Sequence, residues 1–329
     1  MRYGAKNELP LLLFSYLWRY SDASHHLSMP ELQAMLEEED ITADRRTIGY
    51  AIKAIDAVLC PVHFTRANKQ GYYIDHLFTE SEALFISGLI AQAPGISASL
   101  TDDLLRRLQE TVSQAQKEQL HMPAVPSAKS DNENVLKQCE TILSAIKARH
   151  AIEFHYYDRT VTKQKRYRKN RRRYTQIPYA VILHQGRFYA VCYSMHHGNF
   201  ANYRIDRMDH ITESDTVYDP VPFDLESYSR STFDMYKGDL RTITLRCALS
   251  LSEYVQDAFG DHLLIQAIDE DSFTFSVSTA LTPTLTSWLL QYYDRCTVIA
   301  PEELQNNLIQ IAETILSAYN KSKEETHHE

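Results

Sequence analysis

The first 79 residues combine helical periodicity with a short hairpin pattern. Three helices are predicted: one near residues 10–20, one that begins with the capping-box sequence Ser28–Glu31, and one that begins after Thr42 as N-cap. The third helix has an apolar stripe at spacings of four, three and four residues: Ile48, Ile52, Ile55 and Leu59. Two alternating segments, 62–65 and 71–75, predict a hairpin. Helix, turn, helix and hairpin indicate a winged helix-turn-helix over residues 1–79.

The rest of the chain divides into a connector and two further predicted domains. Residues 80–132 are predicted to form helices that end in a Pro- and Ser-containing linker. Residues 133–222 begin with a helix and continue with five short strands, which favours a small SH3-like β-barrel. Residues 236–322 follow a β-α-β-β-α-β order, which is typical of the ferredoxin-like motif. The predicted fold class is therefore α+β multidomain.

One dense basic segment, which we name the basic strip, interrupts an otherwise acidic chain. The net charge is −9, yet residues 163–173 contain eight basic residues and no acidic one. A strand here would alternate, with Arg166, Arg168 and Arg172 on one face and Lys165, Lys169, Arg171 and Arg173 on the other. Unpaired charges are not buried in an apolar core. The strip is therefore either an anion-binding surface or a dock for an acidic neighbour, and we favour anion binding.

The third predicted helix has a polar face opposite its apolar stripe. At 100° per residue, Arg46, Tyr50 and Lys53 lie roughly 140–200° from the stripe, and Arg45 and Thr47 flank this face as expected phosphate contacts. Arg46 lies in the first turn, where Arg can make a bidentate contact to guanine. A solvated helix face is the alternative, but the hairpin that follows favours DNA binding. The candidate DNA contacts, to bases or phosphates, are Arg45, Arg46, Thr47, Tyr50, Lys53, Arg66 and Lys69.

Patterns that would indicate an enzyme or a metal site are not found. No G-x-S-x-G, P-loop or H-E-x-x-H pattern occurs, and the histidine pairs lack partners at ligand spacing. Five dispersed cysteines indicate reduced, mostly buried thiols. No apolar run approaches the ~18 residues of a membrane span, and no cleavable signal precedes the first helix. We therefore expect a cytoplasmic, non-enzymatic protein without a cofactor, metal or membrane partner.

Three segments carry motifs of a known family. Residues 177–191 include Phe188-Tyr189-Ala190, which stands where the family has Trp-Tyr-Leu. Residues 204–207, Arg-Ile-Asp-Arg, match the family's strand of arginine, aliphatic residue, aspartate and arginine. Residues 46–48, Arg-Thr-Ile, match the third helix of related winged helices. By these motifs the chain resembles the WYL-domain regulators of bacteria, which implies a winged helix, an SH3/Sm-like WYL barrel and a ferredoxin-like C-terminal extension.

The resemblance implies a ligand-responsive transcription factor, with repression and anti-phage defence as expected roles. Its WYL barrel would bind a nucleotide or single-stranded nucleic acid, since Arg beside stackable tyrosines suits both ligands. Asp206, between Arg204 and Arg207, is expected to form a structural ion pair. The candidate effector-binding residues are Tyr156, Arg166, Arg168, Arg171, Arg173, Tyr179, Tyr189, Arg204 and Arg207.

Binding to a double-stranded operator predicts a homodimer, because one winged helix makes few phosphate contacts. The segment Trp288-Leu289-Leu290 is the expected dimer surface, and the helical connector is the expected lever between the DNA and effector sites. Two competing hypotheses are an accessory protein that binds RNA or single-stranded DNA, with the winged helix mediating protein contacts, and an enzyme such as a nuclease.

Overall fold

The computed structural model describes residues 5–66, 70–120, 128–225, 228, 232–233, 236–237, 240–260 and 263–326. Contacts divide the chain into two units: unit 1 contains residues 1–137 and 185–188, and unit 2 contains residues 138–184 and 189–329. Within the described ranges, every helix is too short or too polar to cross a bilayer.

Unit 1 begins with three helices and a two-stranded hairpin around one apolar core. The helices are α1 (Ala5–Tyr20), α2 (Met29–Glu38) and α3 (Arg45–Val58). The strands β1 (Val62–Thr65) and β2 (Gly71–Ile74) pair antiparallel. The predicted order of these elements is confirmed, although α1 begins before Pro10. The largest fully buried side chains of this core are Leu13, Leu17, Leu32, Leu36, Ile48, Ile55 and Ile74.

Side-chain caps fix where α2 and α3 begin. The predicted capping box is confirmed, because Ser28 accepts from the Glu31 N–H and the Glu31 carboxylate accepts from the Ser28 N–H. The predicted cap of α3 is wrong. Asp44, not Thr42, is the N-cap, and its Oδ1 accepts from the Thr47 N–H at 2.7 Å. Both residue types can cap, but a carboxylate also interacts favourably with the positive end of the helix dipole.

The connector helices of unit 1 are joined to the end of α1 by hydrogen bonds. These helices are α4 (Glu80–Gln92), α5 (Ala98–Gln109) and α6 (Gln114–Gln119). Asp22 is almost completely buried and accepts from the Ser113 hydroxyl at 2.5 Å and from the Ser24 N–H at 2.7 Å. The Trp18 indole N–H donates to the Glu110 carbonyl at 3.2 Å. These bonds fix the start of α6 to the helix that precedes α2 and α3.

The first part of unit 2 is a curled sheet that follows α7 (Val135–Ala148). Its strands are β3 (His150–Arg159), β4 (Lys165–Tyr167), β5 (Tyr174–His184), β6 (Arg187–Ser194), β7 (Asn199–Arg204) and β8 (Met208–Val217). A helix followed by short strands was predicted, but there are six strands here instead of five. Sheet order is β4-β3-β5-β6-β7, and β8 pairs with β3, so the sheet curls into a half-barrel.

The basic strip is not one alternating strand, so the predicted division of its side chains between two faces is wrong. Tyr157 of β3 pairs with Tyr167, and Phe154 pairs with Tyr174. Between these two pairs, β3 therefore covers three residues, whereas the chain from Tyr167 to Tyr174 covers seven. The extra residues leave the sheet as a bulge, in which residues 169, 170 and 171 have φ of 50°, 50° and 62°. Left-handed residues cannot continue an extended strand, so they abolish the two-residue alternation, although the strands on either side of the bulge both run antiparallel to β3.

The motif at residues 204–207 is also only partly a strand. β7 ends at Arg204, and Ile205–Arg207 form a 3₁₀ turn before β8. Ile205 is fully buried, which fixes this turn in the core of the half-barrel.

The C-terminal part of unit 2 has the predicted order of helices and strands. It begins with a short hairpin of β9 (Thr232–Phe233) and β10 (Tyr236–Lys237). The elements that follow are β11 (Leu240–Ala248), α8 (Ser252–Phe259), β12 (Leu264–Ile268), β13 (Ser272–Ala280), α9 (Pro283–Gln291), β14 (Cys296–Ala300) and α10 (Glu302–Thr326). These four strands form one sheet in the order β12-β13-β11-β14, with every neighbouring pair antiparallel.

Helix α9 packs into the core of its own domain. Leu289 is 2% exposed, and the Trp288 ring lies 5.1 Å from the Phe259 ring and 5.0 Å from the Tyr292 ring, centroid to centroid. Leu289 is therefore not available for the predicted dimer surface, whereas Trp288 and Leu290 are only half-buried and their predicted role in dimer formation stays a prediction.

All five cysteines lie in the described ranges, and all are free. The prediction of mostly buried thiols is confirmed, because four of the five are buried. Burial raises the pKa of the Cys139 thiol to about 11. Cys247 and Cys296 are cross-strand partners in β11 and β14, with their sulfur atoms 2.9 Å apart.

Candidate nucleic-acid interfaces

Helix α3 separates a buried apolar face from an exposed basic one. Ile48, Ile52 and Ile55 are at most 5% exposed, whereas Leu59, which follows the helix, is 52% exposed and ends the stripe. Arg45, Arg46, Tyr50 and Lys53 are exposed, Tyr50 by 72%. Within the described ranges, none of the three cations has a carboxylate within 4 Å. This face can therefore contact an external anion without first breaking an ion pair.

The remaining predicted DNA contacts have different surroundings. Thr47 is half-buried and bonds to Asp44, whose pKa is lowered first by the Thr47 backbone N–H and then by its hydroxyl. Its hydroxyl is thus already engaged in capping. Arg66 is exposed directly after β1. Lys69 lies outside the described residues.

Three cations of the basic strip are paired with carboxylates of the same half-barrel. Lys165 Nζ lies 2.9 Å from Asp209, and Arg173 lies 2.9 Å from Glu153. Arg168 makes two hydrogen bonds to Asp158, at 2.7 and 2.8 Å. This bidentate contact lowers the pKa of Asp158. The strip therefore meets acidic neighbours within its own domain, whereas the alternative that the sequence left open was an acidic neighbour on another domain or subunit.

The bulge retains cations without carboxylate partners, and two of them lie over tyrosine rings. Lys169 Nζ lies 4.5 Å from the Tyr174 ring centroid, and the Arg171 guanidinium lies 4.9 Å from that of Tyr167. These contacts are cation–π interactions on the surface, since both cations are exposed. Within the described ranges, the strip residues that have no carboxylate within 4 Å are Lys163, Arg166, Lys169, Arg171 and Arg172.

Beneath the bulge, four aromatic rings form one cluster inside the half-barrel. Phe154 stacks on Tyr174 at 5.4 Å, and Tyr203 meets both rings edge-on at 5.2 and 5.8 Å. Tyr156 completes the cluster, 5.3 Å from Tyr203, and the Arg168 guanidinium lies 5.3 Å from the Tyr156 centroid. Burial raises the pKa of Tyr156 and of Tyr203. The tyrosines are therefore neutral. The rings of Tyr156 and Tyr174 are buried, and they lie under Arg168 and Lys169 of the strip.

The turn at residues 204–207 joins this cluster to the strip. Arg204 makes two hydrogen bonds to Asp206, at 3.0 and 2.6 Å, so the predicted structural ion pair is confirmed. The Arg204 N–H donates to the Tyr156 hydroxyl at 3.2 Å. Arg207 lies 3.8 Å from Asp158, the carboxylate that also binds Arg168. Tyr156, Arg168, Arg204 and Arg207 are thus brought together.

Two predicted effector residues have other surroundings. Tyr179 packs against Phe200 and Phe223 at 5.1 and 5.3 Å, and its hydroxyl accepts from the Val221 N–H at 2.6 Å. It belongs to an aromatic cluster that holds the chain after β8. Tyr189 is the cross-strand partner of Arg204, on β6.

Sequence reasoning missed the carboxylates that organise the strip. Asp158 binds two arginines, and Asp209 accepts from both Lys165 and the Tyr167 hydroxyl. Hairpin register could have identified Asp158, because it lies opposite Arg166 across the β3–β4 turn. No local pattern in the sequence identifies Asp209, since it lies more than forty residues after its partner Lys165. Among the described residues, no group of three or more His, Cys, Asp and Glu side chains is arranged to hold a metal ion.

Comparison with known families assigns both parts of unit 2. Residues 137–213 match the WYL domain, and residues 239–316 match the WCX domain. The half-barrel with its strip and its 204–207 turn lies in the first match. The chain therefore carries a WYL domain followed by a WCX domain, and the resemblance that its motifs indicated is confirmed.

Solved structures similar to the chain include a proteasome accessory factor and a CRISPR Cas-related protein. Proteasome accessory factor B/C (PafBC) of Arthrobacter aurescens is 14% identical, with a TM-score of 0.27 over 93% of this chain. The chain spans 46% of the length of that protein. A CRISPR Cas-related protein is 13% identical, with a TM-score of 0.35, and the match covers 98% of this chain and 82% of that one. No curated protein matches the sequence.

Proposed function

We propose that this protein is a ligand-responsive, DNA-binding transcription regulator. The observation that carries the proposal is α3, whose exposed Arg46 and Lys53 lie opposite its buried stripe, with Arg45 beside them; among the described residues none of the three has a carboxylate within 4 Å. Three helices and a hairpin in this order are the elements of a winged helix-turn-helix, in which this helix enters the major groove. The hairpin is the wing in this proposal, with Arg66 beside a phosphate.

The WYL domain is the effector site in this proposal. Its ligand is a nucleotide or single-stranded nucleic acid, because exposed cations over tyrosine rings suit both phosphate and base. The C-terminal domain, which we take to be ferredoxin-like from its strand order, supports the homodimer that a paired operator requires. Repression, a cytoplasmic location and a link to anti-phage defence remain predictions from the family resemblance. Catalysis is not part of the proposal.

Selection of duplexes from a random pool with the full chain tests the proposal. We expect enrichment of a defined site, and binding of that site at least ~10³-fold tighter than of mixed duplex at the same salt concentration. Footprinting should then show two half-sites separated by about one or two helical turns. Failure to enrich any duplex would contradict the proposal.

A second candidate function has one observation in its favour. The exposed Lys169 and Arg171 over tyrosines would serve equally well in a protein whose main ligand is RNA or single-stranded DNA. The same pool prepared as single-stranded DNA and as RNA separates the two candidates. Tighter binding of single strands than of the selected duplex, with no effect of Arg46→Ala on either, would favour the accessory-protein role.

A further inference from the structure

Two thiols lie directly opposite each other on neighbouring strands of the C-terminal sheet. Cys247 of β11 is the cross-strand partner of Cys296 of β14, and their sulfur atoms are 2.9 Å apart. The two residues are 49 positions apart in the sequence, so only the pairing of the strands brings them together. The sheet therefore holds both sulfur atoms within reach of one another.

The backbone around this pair has the geometry that a disulfide requires. The Ala248 N–H donates to the Arg295 carbonyl oxygen at 2.8 Å. This bond joins the residue after Cys247 to the residue before Cys296, which marks the cysteines as a non-hydrogen-bonded pair of the antiparallel ladder. Opposite Cα atoms at such a position are about 4.5 Å apart, and disulfides span Cα separations of about 4.4–6.8 Å. The strands can therefore accept a bond between the two sulfur atoms without separating.

The surroundings of the pair favour reaction with a small oxidant. Cys247 is 1% exposed and Cys296 is 7% exposed, within the apolar core of the domain. β14 is an edge strand in the order β12-β13-β11-β14, so local opening of this one strand uncovers both thiols. The S–H group of Cys296 lowers the pKa of the Cys247 thiol, against the opposite effect of burial. Since the thiolate is the reactive form, Cys247 is the sulfur that reacts first.

The other three cysteines differ from this pair. Cys60, Cys139 and Cys192 have no second sulfur atom within 4 Å among the described residues. Burial raises the pKa of all three thiols. A raised pKa leaves less of the thiolate that peroxides oxidise. These three cysteines therefore serve as internal references for the reactivity of the pair.

We propose that Cys247 and Cys296 form a redox-responsive site, at which a peroxide converts the two thiols into a disulfide. The Cys247 thiolate attacks one oxygen of hydrogen peroxide, the O–O bond breaks, and the leaving hydroxide takes up the thiol's proton to become water. The Cys296 sulfur then attacks the sulfenic acid: the S–S bond forms, the S–O bond breaks, and the second thiol proton leaves with the hydroxide as water. The two sulfur atoms lose two electrons in total, and the peroxide gains them. This inference does not depend on DNA binding.

The disulfide joins the edge strand β14, and α10 after it, to the interior strand β11. A cross-link between positions 49 apart restricts the unfolded chain and so stabilises the folded domain. The oxidised protein should therefore unfold this domain at a Tm at least ~5 °C above that of the reduced protein. Reduction with dithiothreitol should restore the lower Tm. A Tm that falls on oxidation would mean that the sheet does not accept the bond, which contradicts the proposal.

Peroxide treatment of the reduced full-length protein, followed by alkylation and trypsin digestion, tests the site directly. Trypsin cleaves after Arg246 and Arg295, so the two cysteines fall in separate peptides, 247–295 and 296–321. We expect these peptides to be joined, with a mass about 2 Da below their sum for the two hydrogens lost. The other three cysteines should remain open to alkylation after denaturation. Dithiothreitol should separate the joined peptides.

Cys60→Ser is the matched control, because it removes a half-buried thiol outside the pair. It should leave the yield of joined peptides unchanged. Cys296→Ala should abolish them and leave Cys247 as a sulfenic or sulfinic acid, which is read from the mass of peptide 247–295. Absence of the joined peptides from peroxide-treated wild type would overturn the proposal. Equal yields of joined peptides that contain Cys139 or Cys192 would overturn it as well, because the pair would then have no special reactivity.

Discussion

Arg46 is exposed in the first turn of α3 and has no carboxylate within 4 Å among the described residues. We expect Arg46→Ala to weaken binding of the selected duplex by about 1–3 kcal/mol and to relax the preference at one base pair, because Arg can bind guanine in a bidentate manner. Titration against duplexes with each base pair replaced in turn measures both effects.

The control for Arg46→Ala is Arg241→Ala, which removes the same charge from the exposed start of β11. It should leave duplex binding and base preference unchanged. Equal losses of Arg46→Ala on selected and mixed duplexes would mean that Arg46 contacts only phosphate.

Arg204 stabilises the fold through its ion pair with Asp206, apart from any role in effector binding. Its partner Asp206 is 6% exposed, so Arg204→Ala leaves a buried carboxylate without its arginine. We expect a loss of about 2–4 kcal/mol in the free energy of unfolding, measured with urea. The double variant Arg204→Ala/Asp206→Ala should recover part of this loss; if it is as unstable as the sum of the single variants, the two side chains are not coupled.

Single residues of the site differ in how far the sequence reveals them. The Arg204–Asp206 pair is local and was predicted from neighbouring charges. Asp209 meets Lys165 only because β8 pairs with β3, and no periodicity in the sequence records that pairing.

At the scale of elements, Asp22 makes the link between α1 and α6 dependent on pH. Burial raises the pKa of Asp22, but hydrogen bonds from Ser113, Ser24 and His25 outweigh burial, so the pKa lies below its usual value. A carboxyl whose pKa is lowered by folding stabilises the fold above its unfolded pKa, ~3.9, and loses this contribution as pH falls through the folded value. The link is therefore fully present at neutral pH.

We expect Asp22→Asn to lower the free energy of unfolding by about 1–3 kcal/mol at pH 7, since hydrogen bonds to a charged acceptor are lost. The difference from the wild type should stay constant between about pH 5 and 8 and shrink below about pH 4. Urea titrations at several pH values measure it. Asp215→Asn, at an exposed position of β8, is the control. A difference that grows on acidification would contradict the assignment.

The basic bulge offers a cleaner test of effector binding than Arg204, because its cations are not needed for ion pairs. Lys169→Ala/Arg171→Ala should weaken binding of a dT10 oligonucleotide at least ~10-fold at low salt, since both contacts over tyrosines are lost. The stability of the protein should change little. Calorimetric titration at two salt concentrations measures the affinity.

Arg173→Ala is the control for that double variant, because Arg173 is paired with Glu153. Arg173→Ala should lower the affinity for dT10 less than the double variant does. Unchanged dT10 binding after Lys169→Ala/Arg171→Ala would place the effector site elsewhere in the chain.

Elements with regular periodicity were predictable, and irregular ones were not. The stripe of α3 and the strand and helix order of residues 240–300 follow directly from repeats of 3.6 and 2 residues. The bulge in the basic strip does not, because its left-handed residues are Lys, Asn and Arg rather than Gly. Only Asn170 among them is a residue type that often adopts the left-handed conformation, and a single Asn does not distinguish a bulge from a continuous strand.

At the scale of the whole molecule, the salt dependence of DNA affinity distinguishes a monomer bound to DNA from a homodimer bound to DNA. Each phosphate contact contributes about 0.9 to the slope of log K against log salt concentration. Arg66 is exposed after β1 and is a phosphate contact in the proposed function. Arg66→Ala should therefore reduce the slope by about 1 for a monomer bound to DNA and by about 2 for a homodimer, with no change in base preference. We expect the larger value. A reduction near 1, together with the mass of a monomer by light scattering on DNA, would contradict the homodimer, and Arg241→Ala should leave the slope unchanged.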